Sequence, residues 1–227
     1  MTEQLVFDLA HRQALGAGDF LLAPCNRDAV GWLDRWPDWP APALTIHGPA
    51  GSGKTHMAEV WRARSGARVV PIAGIAAHPL AAFDDGGNAW VIDDVSPGFP
   101  ETAFLHFYNA VAERGGHLLI TSRSAPSRWS LALPDLRSRL MAAPAIAVGR
   151  PDDTLLAAVL VKLFADRQLP VGPDVLTYLL ARMERSFPAM HALVAALDRQ
   201  ALAEQKRITV PMARNILMKL NDLKNGD

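Results

Sequence analysis

The chain has 227 residues, half of them hydrophobic, and its 23 Lys and Arg balance 23 Asp and Glu for a formal net charge of zero. That length fits one large domain or a core with a small appendage, the apolar content excludes wholesale disorder, and the charge balance argues against a strongly basic nucleic-acid binder. The single cysteine, Cys25, excludes an intramolecular disulfide framework and a four-cysteine zinc site. No run of about 18 apolar residues and no signal-peptide pattern appears, so a soluble, cytoplasmic protein with no membrane partner is expected.

Residues 1–18 are polar and loosely patterned apart from the cluster Gln4-Leu5-Val6-Phe7-Asp8-Leu9. Asn26 is placed to cap a helix whose Val30, Leu33 and Trp36 share one face, and Pro37, Pro40 and Pro42 then break the chain into a loop. Strands are predicted at 44–47, 68–72, 89–92, 117–121 and 145–148. Between them lie a helix at 55–65, ended by Gly66, and a second outlined by Phe104, Phe107, Tyr108 and Val111 and stopped by Gly115-Gly116. Alternating strands and helices indicate βαβ units, and the unbroken apolar runs suit strands covered on both faces. The pattern changes at Gly149-Arg150-Pro151. Beyond it only helical segments are predicted, near 152–167, 172–183, 188–204 and 210–223, with Asp152 or Asp153 available to cap the first. The expected architecture is α/β: a tail at 1–18, a core at 19–150 with a parallel five-stranded sheet flanked by helices, and an all-α subdomain at 151–227.

Between the first strand and the helix after it stands Gly48-Pro49-Ala50-Gly51-Ser52-Gly53-Lys54-Thr55, which fits G-x-x-x-x-G-K-[ST] at every fixed position. Glycines there let backbone N–H groups approach phosphate oxygens, the helix start adds its positive dipole end, Lys54 supplies a cation, and the Thr55 hydroxyl suits magnesium. Trp90-Val91-Ile92-Asp93-Asp94 adds an apolar strand ending in two carboxylates: Asp93 to help hold magnesium, Asp94 to orient or deprotonate an attacking water. ATP or ADP with Mg2+ is therefore the expected ligand. Other chemistry lacks support: the histidines show no metal-ligand spacing, and Ser122, Ser138 and Cys25 have no nucleophile setting.

These motifs resemble the AAA+ ATPases, and within them the DnaA/Hda clade. Four features carry the narrowing: His56 directly after the loop threonine, the tandem Asp93-Asp94, the helix Phe104-Leu105-His106-Phe107-Tyr108-Asn109, and Leu136-Arg137-Ser138-Arg139-Leu140, which resembles the clade's box VII. The resemblance runs from about residue 18 to the end. It implies a P-loop AAA+ core with a helical lid, His56 among the nucleotide-binding residues, and Arg139 as an arginine finger reaching a partner's nucleotide. Arg137 competes for that role, and a surface pair of Arg139 with Asp135, four residues earlier, is the plainer alternative. DnaA continues into a helix-turn-helix domain, whereas this chain ends at Asp227, so sequence-specific DNA binding is not expected. The N-terminal cluster resembles the clamp-binding hexapeptide of the Hda branch, with Gln4 at a pocket rim and Leu5, Phe7 and Leu9 as apolar anchors. Packing of that cluster on the protein's own core competes with this reading.

The resemblance thus implies a nucleotide-dependent negative regulator of replication initiation. It would stimulate hydrolysis of ATP bound to a DnaA-type initiator, together with the DNA-loaded sliding clamp, and self-association is also open. Two departures bear on hydrolysis. Arg123 stands where sensor I of the clade carries an acid, unless Thr121 or Ser122 substitutes, and Pro188 stands where sensor II carries an arginine. Arg185, one turn earlier, is the nearest replacement, or faces solvent. Phe20, Leu22 and Asn26 are candidate adenine neighbours by the same resemblance. A self-sufficient ATPase of the helicase-loader type and a DnaA-like DNA-binding module are the competing functions.

Overall fold

A computed structural model of the chain describes residues 21–77 and 87–225, so the hexapeptide Gln4, Leu5, Phe7 and Leu9 and the adenine candidate Phe20 lie outside the described residues. The described residues form two compact units that meet in sequence at Gly149 and Arg150. No helix among them is long and apolar enough to cross a membrane.

The first unit runs α1 (Arg27–Asp34), β1 (Ala43–His47), α2 (Lys54–Ser65), β2 (Arg68–Val69), a 3-10 turn (Ile72–Ala77), β3 (Ala89–Val95), α3 (Glu101–Glu113), β4 (His117–Ser122), a second 3-10 turn (Pro126–Arg128), α4 (Pro134–Ala142) and β5 (Ala145–Ala147). The five strands pair in the order β2-β3-β4-β1-β5, all parallel. Successive side chains point to opposite faces of the sheet. Trp90, Ile92, Leu118 and Ile120 accordingly pack with Phe104, Phe107 and Val111 of α3 and Leu136 and Leu140 of α4. Their neighbours Val91 and Leu119, with Leu44 and Ile46, pack with Ala29 and Leu33 of α1 and Met57 and Trp61 of α2. Both faces are buried, which is why the strands read as continuous apolar runs.

Several elements differ in extent from the sequence reading. β2 stops at Val69: Val70 still donates its N–H to the Val91 carbonyl, but Pro71 has no N–H to continue the ladder. α1 ends at Asp34, before Trp36, because the residue preceding Pro37 is driven out of helical geometry. Trp36 instead packs edge-on against Trp61. Asn26 occupies the N-cap position of α1, but its side chain turns backward, accepting from the Ala23 N–H and donating to the Leu21 carbonyl.

The second unit is helical throughout: α5 (Asp153–Asp166), α6 (Pro173–Leu180), α7 (Phe187–Glu204) and α8 (Val210–Asn225). The structure chooses Asp152 as the cap of α5, its carboxylate accepting from the Leu155 N–H at 2.8 Å. Ser186 caps α7 by accepting from Ala189, and Pro188 sits in the first turn, where its missing N–H has no partner to lose. Leu156, Leu160, Phe164, Leu179, Met190, Leu193 and Leu197 make this unit's own core.

Trp61 is fully buried, stacks on Trp39 at 5.3 Å between ring centroids, and leaves its indole N–H without a hydrogen-bond partner. Trp61→Ala should therefore destabilise the first unit by about 3–5 kcal/mol, while Trp61→Phe, which removes a donor that bonds nothing, should cost far less. All six tryptophans lie in this unit, so urea unfolding followed by tryptophan fluorescence reports on it alone. Equal costs for the two variants would refute this account.

Candidate functional site

The parallel register brings the carboxyl ends of three strands together. His47 of β1 lies opposite Ser122 of β4, and Val95 of β3 pairs with the same Ser122 across a register shift that follows Ile92. Open parallel sheets take their ligands at such an edge. The glycine-rich loop leaves β1 here, its Gly48 N–H donating to the Ser122 carbonyl at 3.1 Å. A Cβ on Gly48 would lie 2.2 Å from the Val148 carbonyl oxygen, so only glycine fits. Gly51 and Gly53 adopt φ of 74° and 93°, and Gly53 occupies the N-cap position of α2.

Lys54 is buried, and its ammonium donates to the carbonyls of Gly48 at 2.8 Å and Pro49 at 2.9 Å. Burial pushes its pKa below the ordinary lysine value, and Asp94 and Asp93 oppose that shift. Ser52 is buried with its hydroxyl unpartnered. His47, just ahead of the loop, has its pKa lowered by burial and then by the charges of Arg128 and Lys54. Ala50 and His56 are exposed, while Pro49 is half-buried.

The Asp93 carboxylate receives two hydroxyls. Thr55 donates at 3.0 Å to one oxygen, and Thr121, fully buried at the end of β4, donates to the other through a short bond. The Thr121 hydroxyl also accepts the Asp94 N–H at 2.8 Å. Asp94 lies in the register shift with φ of 52°, a left-handed geometry that aspartate tolerates better than most residues. Arg123, the first residue beyond β4, places its Nε 3.7 Å from Asp94 Oδ1. Ser122 donates instead to the Ser124 carbonyl, away from Asp93.

A glycine cradle, a cation held by carbonyls, an orphaned serine hydroxyl and a threonine–aspartate pair together suit a polyphosphate with magnesium. Magnesium prefers hard oxygens and commonly takes only one or two protein carboxylates, completing its shell with phosphate and water. Thr55 and Asp93 fit that donor set.

Comparison with known proteins adds to this geometry. Residues 153–217 match the family model described as Hda, lid domain. Domain III of the Thermotoga maritima replication initiation protein DnaA superposes with a TM-score of 0.74 at 17% identity, covering 88% of this chain and 94% of that one. The chain thus has the fold of DnaA domain III, and its helical unit is similar to the Hda lid. AMPPCP-bound DnaA from Aquifex aeolicus has the same fold, with a TM-score of 0.62 at 17% identity, covering 82% of this chain and 68% of that one. A relative from Haemophilus influenzae, named only as an uncharacterized protein, is 25% identical over 202 residues, covering 79% of this chain and 83% of its own.

The arginines to which the clade resemblance gives roles are engaged locally. In α4, Arg139 pairs with Asp135 at 3.3 Å, and its guanidinium carbon lies 6.0 Å from the centre of the Tyr108 ring, while Arg137 is exposed on the same helix. In the helical unit, Arg185 pairs with Asp153 at 3.1 Å, with both side chains well exposed. Of the adenine candidates, Leu22 is half-buried and Asn26 is buried in the bonds that fix the turn before α1. Next to it, Cys25 is half-buried, and its carbonyl accepts the Gly149 N–H. The bridging role of Thr121 and the contact of Arg123 with Asp94 are what sequence reasoning missed, because both depend on strand register.

Thr121→Val keeps the side-chain volume but deletes the hydroxyl shared by Asp93 and Asp94. It should cost about 1–3 kcal/mol of first-unit stability. Thr121→Ser, which keeps the oxygen, should lose only about 1 kcal/mol for the missing methyl. The same fluorescence-detected unfolding measures both, and a valine variant as stable as the original protein would sink the bridging role.

Proposed function

We propose that the chain binds an adenine nucleotide with magnesium at the loop 48–55 and acts as a negative regulator of replication initiation. The observation that carries the first half is the convergence of Lys54, Thr55 and Asp93 at the carboxyl edge of the sheet. AMPPCP bound by a DnaA of the same fold supports it. The residues' roles follow from their chemistry. Backbone N–H groups of residues 50–55 face the phosphates, the Lys54 ammonium exchanges carbonyl partners for phosphate oxygens, and Thr55 and Asp93 hold the metal. Bound magnesium would supply charge neutralisation for the phosphates. His56 and, from the lid, Arg185 are assigned to the same nucleotide, and either ATP or ADP satisfies this arrangement. The core at 19–150 then serves as the nucleotide-binding body, 151–227 as its lid, and 1–18 as a docking tail.

The regulatory half rests on the Hda-type lid at 153–217. In this reading the hexapeptide Gln4-Leu5-Val6-Phe7-Asp8-Leu9 engages a DNA-loaded sliding clamp. Arg139 is then presented to ATP held by a DnaA-type initiator, whose hydrolysis it stimulates by stabilising transition-state charge. Arg139 must leave Asp135 to do so. An exposed i,i+4 pair is worth only about 0.3–0.5 kcal/mol, so its loss opposes the move weakly. Asp94, more than half exposed beside the loop, favours a second reading in which the protein hydrolyses its own ATP.

Calorimetry should show that Lys54→Ala binds ADP and ATP far more weakly than the original chain, since the loop keeps its N–H cradle but loses its cation. Unchanged affinity for both would refute the nucleotide site.

Single-turnover assays with label only on DnaA-bound ATP, in the presence of clamp and DNA, separate the regulatory readings. Arg139→Ala should remove a stimulation of the roughly 10³–10⁵ order known for arginine fingers. Replacing Gln4, Leu5 and Phe7 together by Ala should remove clamp binding while leaving nucleotide affinity intact. Brisk hydrolysis by the isolated chain, with no effect on DnaA, would favour the self-sufficient ATPase.

A further inference from the structure

Asp94 is the acidic group of the site with the least support from its own strand. The ladder between β3 and β4 slips between Ile92 and Val95, and Asp94 lies in that irregularity of β3 with φ of 52°. Its backbone is pinned, the N–H donating to the buried Thr121 hydroxyl. The carboxylate meets Arg123, whose Nε lies 3.7 Å from Oδ1. Arg123 leaves β4 immediately after Ser122, so the parallel pairing of β3 and β4 that assembles the site also sets the guanidinium beside the carboxylate. The charge of Arg123 also reaches the Lys54 ammonium, and helps to lower its pKa.

We propose that Arg123 is a positioning residue that holds the Asp94 carboxylate, so that the site keeps its nucleotide more tightly and cleaves it more slowly. The proposal rests on the nucleotide-site reading above. Two carboxylates and two cations then face one another across the loop. Asp93 is committed to the hydroxyls of Thr55 and Thr121, and Asp94 to Arg123. With Arg123 removed, Asp94 would stand beside the phosphates uncompensated, repelling them when no metal is present, and would be released to orient water. At 3.7 Å with both partners more than half exposed, the pair falls in the class worth about 0.2–1 kcal/mol, which predicts effects of roughly 1.4- to fivefold on binding.

The test is a double-mutant cycle on the full chain, combining Arg123→Gln with Asp94→Asn and reading ADP affinity by calorimetry in EDTA at physiological salt. Arg123→Gln should weaken ADP two- to fivefold in the original background, within the range expected of an exposed pair, and by less than twofold in the Asp94→Asn background. Arg123→Lys, which keeps the charge, should restore the affinity. With magnesium and ATP, Arg123→Gln should also raise single-turnover hydrolysis by about 1.4- to fivefold, the range that release from a pair of this strength allows. The Asp94→Asn partner should erase that rise. A loss of ADP affinity equal in both backgrounds means that Arg123 touches phosphate directly, and overturns the proposal. An unchanged or slower hydrolysis in Arg123→Gln, or no change of affinity in either background, overturns it as well. Failure of the original chain to bind any nucleotide would instead remove the underlying site, an outcome visible before any variant is made.

Discussion

The hydroxyl of Thr121 joins the two halves of the candidate site, donating to Asp93 and accepting from the Asp94 backbone. It can do so because β3 and β4 run parallel and side by side, with the ladder slipping only after Ile92. The glycine-rich loop is tied to the same place, through the Gly48 N–H bonded to Ser122 and the close approach of Gly48 to Val148. Three strand ends thus form one rigid rim, and the apolar packing on both faces of the sheet keeps it rigid.

On that rim charges are compensated pairwise. Lys54 is taken out of water but surrounded by carbonyls, and Asp93 and Asp94 favour its charged form. Asp93 is satisfied by hydroxyls, and Asp94 faces Arg123. Lys54 and Asp93 now bond to neutral carbonyls and hydroxyls, so a phosphate or a metal ion in their place adds the attraction between full opposite charges. This is the physical reason that the arrangement suits a polyphosphate–metal ligand without requiring the backbone to move.

The arginines farther out behave differently. Arg139 and Arg185 each rest on a nearby aspartate, Asp135 and Asp153, in exposed pairs. Such pairs hold a side chain in place at little energetic depth. They leave both residues available for a stronger anion brought by a partner or a bound nucleotide. The local pair and the proposed role are therefore compatible.

The sequence by itself determined the alternation of strand and helix, the switch to all-helical structure near Gly149, and the phosphate-loop pattern with its carboxylate strand. These follow from local chemistry: the apolar runs, the glycine pattern and the capping residues each act within a few positions. Even there, Asn26 shows the limit, because a residue suited to cap forward was recruited backward by the turn before it. Tertiary structure alone decided that Thr121 bridges Asp93 and Asp94, that Arg123 meets Asp94, and that Gly48 abuts Val148. Those contacts join residues 27 to 100 positions apart in sequence, and they depend on which strands are neighbours and in what register. A register shift changes which side chains meet, and nothing in the local pattern of β3 or β4 encodes the slip after Ile92.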